Sequence, residues 1–161
     1  MQSFKALLVL AAWGAALTQS AMGQPGFGAQ GAEAAPNRMQ QWLVPSPAIE
    51  TAARALLFRP PGDGPFPLAV IAHATTQNVL RRAQMPQPEY RALATWLVAR
   101  GFAVLVPERP GHGATGGRYL EDQGGCDEAD YARAGRATAD AIAAAAAFLR
   151  KQPFTRPSAR Q

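Results

Sequence analysis

Two short apolar runs with an amphipathic stretch between them constrain this chain most. Pro67 to His73 (PLAVIAH) is a continuous apolar run between breakers, and Phe102 to Pro107 (FAVLVP) is another. Runs of this kind suit strands buried on both faces, as in a parallel sheet. Between them, Tyr90, Leu93, Ala94, Leu97 and Val98 recur at helical spacing. That spacing predicts a helix over 88–100 with one apolar face, opened by Pro88 and closed by Gly101. Strand, helix and strand over 67–107 make a βαβ unit, whose two strands are expected to run parallel with a right-handed crossover.

Flanking segments extend the pattern. Ala53 to Arg59 (ARALLFR) reads as a strand, ended by Pro60-Pro61 and followed by the turn residues Gly62-Asp63-Gly64-Pro65. Asp127 to Lys151 reads as a long helix. Asp127 is the expected cap, Glu128 and Asp130 put negative charge in the first turn, and Arg150 and Lys151 put positive charge in the last. The alanines from Ala143 to Ala147 allow close approach to a sheet, and Pro153 stops the helix. An α/β architecture then expects a further strand, which Phe154 to Gln161 does not supply. The expected fold class is therefore α/β, a mainly parallel sheet with helices on both faces, cut short before the next strand.

The N-terminus points to export. Met1 to Lys5 is a positively charged start, Ala6 to Leu17 is apolar, and Thr18 to Gly23 is small and polar. This order predicts a secretory signal over 1–23 and a periplasmic or extracellular location. The apolar run falls short of the about 20 residues that span a bilayer, so no stable membrane anchor is expected. Residues 24–47 read as a flexible lead-in, because their first half is rich in Gly, Ala, Gln and Pro without apolar periodicity. Residues 48–153 are the expected domain, and 154–161 a basic tail. With 48% hydrophobic and 17% charged residues, the 161 residues can build one packed core. The net charge of +5 comes from scattered arginines with no aromatic-interleaved stripe. No nucleic-acid partner is expected from it.

Four stretches resemble the N-terminal half of the α/β-hydrolase superfamily, in particular exported dienelactone-hydrolase-like esterases and peptidases. They are Phe58 to Pro67, Val70 to His73, Ala99 to Pro107, and the turn Arg109-Pro110-Gly111-His112-Gly113-Ala114-Thr115-Gly116-Gly117. The resemblance implies ester or amide hydrolysis by a serine nucleophile, on a small-molecule ester or peptide substrate. It also implies an oxyanion role for the loop His73-Ala74-Thr75-Thr76, through the backbone N–H of Ala74 or Thr75. Ala74 stands where the family usually has Gly, whose missing Cβ permits close approach. His73 is implied as a loop-positioning residue and His112 as an exposed turn residue.

The chain departs from the family at the nucleophile. No Gly-x-Ser-x-Gly occurs, and past residue 23 the serines are Ser46 and Ser158. The family's acid and base follow the nucleophile in chain order. Cys126 is no substitute: Gly124-Gly125-Cys126-Asp127-Glu128 lacks the closing Gly, and Asp127 raises a thiol pKa. Gly111 to Gly116 fits G-x-G-x-x-G, but a dinucleotide site needs a helix to start inside the motif. His73 and His112 have no zinc-like spacing. No cofactor and no metal are expected. Three readings follow: an inactive fragment of a secreted hydrolase, one piece of a split hydrolase, or a non-catalytic binding module. Without a next strand, the 67–73 strand is expected to leave an open edge prone to self-association.

Overall fold

The computed structural model describes residues 26–157. The expected signal at 1–23 lies outside them, as does Ser158. Five strands form one sheet: β1 (Gly28–Ala34), β2 (Met39–Val44), β3 (Ala53–Phe58), β4 (Leu68–Val70) and β5 (Ala103–Pro107). Their order is β1-β2-β3-β5-β4. Three helices accompany them: α1 (Val79–Ala83), α2 (Arg91–Val98) and α3 (Tyr131–Leu149), with a 3-10 turn at Gly113–Thr115.

The expected mainly parallel sheet with helices on both faces is overturned. Only β4 and β5 run parallel, with Ala69 opposite Val104. β1–β2, β2–β3 and β3–β5 are all antiparallel. The sheet is mixed and mostly antiparallel, with few helices. The reason is that burial on both faces reads the same for either strand direction. β3 and β5 are almost wholly buried, yet Leu57 faces Leu105 in an antiparallel register.

A second correction concerns the lead-in. Within residues 24–47, β1 and β2 form a hairpin through Asn37 and Arg38, both at positive φ. β2 alternates half-buried and buried residues, the period-2 pattern of a strand covered on one face. Trp42 and Val44 point into the core. The Trp42 indole N–H donates to Gln40 Oε1 at 2.9 Å, and Gln40 Nε2 donates to the Gly31 carbonyl at 2.7 Å. The largely exposed β1 is thus held by backbone pairing and this side-chain bridge. At the start of the expected tail, Phe154 and Thr155 are buried.

Two apolar clusters flank the sheet. One joins Trp42, Leu57 and Leu105 to Ala145 and Leu149 of α3. The other joins Phe58, Val104 and Val106 to Ala94 and Val98 of α2. The small residues Ala141, Ala145 and Ala146 are the buried side of α3, so that helix lies close to the sheet. Its cap is Asp130, which accepts the Arg133 N–H at 2.7 Å, rather than Asp127. α2 is shorter than the expected 88–100, because Tyr90 is left-handed and the helix starts after it. Its end is as the sequence indicates. Gly101 sits at φ 85°, its N–H reaches the Val98 carbonyl, and the Phe102 N–H reaches the Leu97 carbonyl. That double closure needs the left-handed backbone that glycine adopts without strain.

Leu57 is fully buried at the middle of the sheet, and Leu93 is 46% exposed on α2. Leu57→Ala is expected to cost about 2–5 kcal/mol through lost burial and a cavity. Leu93→Ala is expected to stay within about 0.5 kcal/mol. Urea unfolding midpoints of the two variants check the contrast.

Candidate functional site

β4 and β5 are parallel neighbours, so the loops after them leave the same end of the sheet. In parallel sheets this carboxyl end is where ligands gather. The loop after β4 brings His73, Ala74 and Thr75. The turn after β5 brings Arg109 and His112. Two further segments close over them: α1 with Arg82, and the stretch carrying Tyr119 and Glu121.

Arg109 is the hub. It is 2% exposed, and its Nε and Nη2 donate to the two oxygens of Glu121 at 2.5 and 3.0 Å. Its Nη1 donates to the His73 carbonyl at 2.9 Å, and its backbone N–H donates to His73 Nε2 at 3.1 Å. Because Nε2 accepts, the His73 proton sits on Nδ1, which donates to the Ala74 carbonyl at 2.6 Å. Arg82, also buried, donates to the Thr76 carbonyl at 2.9 Å and the Gly111 carbonyl at 3.1 Å. Its guanidinium carbon lies 3.5 Å from the centre of the Tyr119 ring, a cation–π contact.

These contacts orient the loop. In a trans peptide the carbonyl and the following N–H point opposite ways. With the His73 and Ala74 carbonyls held against Arg109 and His73, the N–H groups of Ala74 and Thr75 face away from the buried cluster. Both residues are exposed. No acceptor among the described residues takes either N–H. The positive-φ non-glycine residues are Asn37, Arg38 and Tyr90. Ala74 is not among them, so its φ is one that alanine adopts without strain.

His112 is fully buried, not an exposed turn residue. Its Nδ1 faces the Arg109 and Pro110 carbonyls at 3.1 and 3.2 Å. Carbonyls only accept, so Nδ1 carries the proton and Nε2 is the acceptor. Thr75 Oγ1, 2.7 Å from Nε2, is therefore the donor. The Thr75 oxygen then accepts from the Tyr119 hydroxyl at 3.2 Å, and Tyr119 accepts from Gln77 Nε2 at 2.9 Å. A directed chain runs from Gln77 through Tyr119 and Thr75 to His112. Gly111 makes room for it: a Cβ there would lie 2.5 Å from the Tyr119 Cα.

Burial pushes His73 down to about 4 and also lowers His112. Burial alone would raise the Glu121 carboxyl, but the hydrogen bonds and charge of Arg109 outweigh it and hold the carboxyl below its usual range. The cluster is thus a buried ion pair flanked by two neutral imidazoles, whose rings stand 4.8 Å apart.

Other sequence candidates fall elsewhere. Cys126 is exposed. The Ser46 hydroxyl donates to the Ala48 and Thr51 carbonyls, a loop-bracing role. The G-x-G-x-x-G stretch ends in the 3-10 turn, and the next helix begins only at Tyr131. Among the described residues no group of three or more His, Cys, Asp or Glu converges as a metal site, and no helix is long and apolar enough to cross a membrane. A surface groove of about 900 Å³ runs past Phe27, Gln41, Ile49 and Arg54 and shares no residue with the His73 cluster. The convergent polar groups lie at the cluster, so the site is assigned there. Sequence reading missed Arg82, Gln77, Tyr119 and Glu121, which sit in stretches without motif or periodicity. The acidic partner that a buried Arg109 demands was the one available signal. No family model, curated protein or solved structure matches the chain.

Removing the carboxylate strands a buried guanidinium, so Glu121→Ala is expected to destabilise the fold by about 3–5 kcal/mol, read by urea unfolding. The pH dependence follows from His73. The unfolded chain protonates this ring near 6.5 and the folded chain near 4, so the unfolded state binds more protons in between. Stability is expected to be retained above 6.5 and to fall as pH drops toward 4. His112 adds in the same direction. In His73→Asn this slope is expected to flatten, and an unchanged slope would contradict the assignment.

Proposed function

We propose that this chain is a fragment of a secreted hydrolase of the α/β-hydrolase superfamily, dienelactone-hydrolase-like or esterase in type. It carries the oxyanion-side loop and is inert on its own. The parent reaction is ester or amide hydrolysis by a serine nucleophile on a small-molecule ester or peptide. The observation that carries this reading is the outward-facing pair of N–H groups at Ala74 and Thr75. Fixed backbone donors aimed at solvent are what a developing oxyanion requires, and they act best when their orientation is set before substrate arrives. Here Arg109, Glu121 and His73 set it.

Inertness follows from what surrounds the loop. A hydrolase of this class needs a nucleophile hydrogen-bonded to a base that is in turn oriented by a third group. Thr75 does donate to His112, but the other nitrogen of that ring meets carbonyls rather than a carboxylate. Burial also lowers its pKa, so His112 is a poor proton acceptor for catalysis. The proposed roles are therefore oxyanion donation for Ala74 and Thr75, and loop positioning for His73 and Arg109.

Two measurements on the purified protein test the reading. p-Nitrophenyl acetate should be hydrolysed no faster than in buffer; turnover that survives Cys126→Ala would contradict inertness. Titration with phenylphosphonate, followed by amide NMR, should shift Ala74 and Thr75 first. An absence of shifts there would remove the donor role.

A further inference from the structure

The buried arginines are Arg82 and Arg109. Arg109 is neutralised by both oxygens of Glu121. Arg82 has no such partner. Among the described residues, ion pairs hold Arg38, Arg59, Arg91 and Arg109, and Arg82 is in none of them. It is 7% exposed, and its Nε and Nη1 donate to the neutral carbonyls of Gly111 and Thr76. Its Nη2 has no acceptor among the described residues and is not sealed from solvent. The guanidinium is also fixed. Asn78 caps α1 by accepting the Arg81 N–H at 2.9 Å, and the turn that follows carries Arg82 back to Thr76. The Tyr119 ring covers one face. With its plane set by two hydrogen bonds and a ring, the group cannot swing out to find a carboxylate.

A buried charge without a counter-charge is costly, and a cation–π contact offsets only part of that cost. Tying two carbonyls together needs donors, not charge. The charge therefore has a use that the latch does not explain. The neighbouring loop supplies it. Nη1 lies 2.9 Å from the Thr76 carbonyl oxygen, and the reach of two residues keeps it within roughly 10 Å of the Thr75 N–H. We infer that Arg82 sets the charge preference of the Ala74–Thr75 site. Its unneutralised guanidinium makes the outward N–H pair a receptor for a ligand oxygen that carries full negative charge, such as that of a phosphonate, over a neutral one. The ligand then supplies what Arg109 obtains from Glu121. The inference rests on the donor role proposed for Ala74 and Thr75 and extends it. The N–H pair fixes where the oxygen sits, and Arg82 selects the charge it carries.

Phenylphosphonate, benzenesulfonate and methyl phenyl sulfone are the probes, similar in shape. In mildly alkaline buffer they carry two, one and no negative charges. Each is titrated into the full ¹⁵N-labelled protein, and the Ala74 and Thr75 amide shifts give its affinity. Affinity is expected to fall in that order, by roughly tenfold per charge at an effective dielectric constant of about 20. In Arg82→Gln, which keeps an amide donor and loses the charge, the order should collapse. In Arg82→Lys, which keeps the charge, it should return. A latch without an electrostatic role would weaken all three probes alike and leave their ratios unchanged, which overturns the inference. Equal affinities in the unsubstituted protein overturn it without any variant, so the test survives a variant that fails to fold. Shifts at Ala74 and Thr75 without a charge order remove the role of Arg82 alone. No shifts there with any probe remove the donor role itself, and the role of Arg82 with it.

Discussion

A guanidinium that is nearly out of water must find a carboxylate, and the Arg109–Glu121 pair is where this structure meets that requirement. Its consequences reach outward in order. With Glu121 holding one edge of it through Nε and Nη2, Arg109 has Nη1 left for the His73 carbonyl. Its backbone N–H sets the His73 tautomer, and that tautomer holds the next carbonyl. Two consecutive peptide planes are therefore fixed from beneath by groups that cannot relax into solvent. The pair also ties the 119–121 stretch down onto the end of β5, which buries His112 and completes the chain of hydroxyls through Tyr119.

The sheet supplies the frame for this arrangement. Only β4 and β5 are parallel, and that one pairing brings the His73 loop and the Arg109 turn to the same end. β3 runs against them and β2, beyond it, runs with them; both contribute burial instead of site residues, with Leu57 and Trp42 at the cluster beneath α3. The same geometry leaves β4 at the border of the sheet. The strand that carries the loop is thus also an edge strand. Loop and edge are two ends of one short element.

Parts of this were legible in the residues. The runs at 53–59, 67–73 and 102–107 mark three strands because they are short, mostly apolar and bounded by turn residues and breakers, and Gly101 marks a helix end because its closure needs positive φ. Strand direction was not legible, since a run buried on both faces carries no sign of it. β1 and β2 were hidden because GAQGAEA has no apolar alternation and is held by pairing to its neighbour. The helix cap moved from Asp127 to Asp130 because three acids lie close together and only geometry selects among them. At the site, His73 and Arg109 stood in recognisable stretches. Glu121 did not, since an ion pair across twelve residues leaves no periodic trace. His112 looked exposed because it sits among glycines, yet Gly111 is what lets Tyr119 close over it.

The central claim is that buried groups fix the His73–Thr75 loop, and the imidazole nitrogens report on it most directly. Long-range ¹H–¹⁵N correlation spectra at neutral pH should show both His73 and His112 as neutral rings protonated on Nδ1, each with Nε2 at the shift of a hydrogen-bond acceptor. A His73 ring protonated on Nε2, or one averaging between tautomers, would mean that Arg109 does not hold it, and the fixed loop would fall with it.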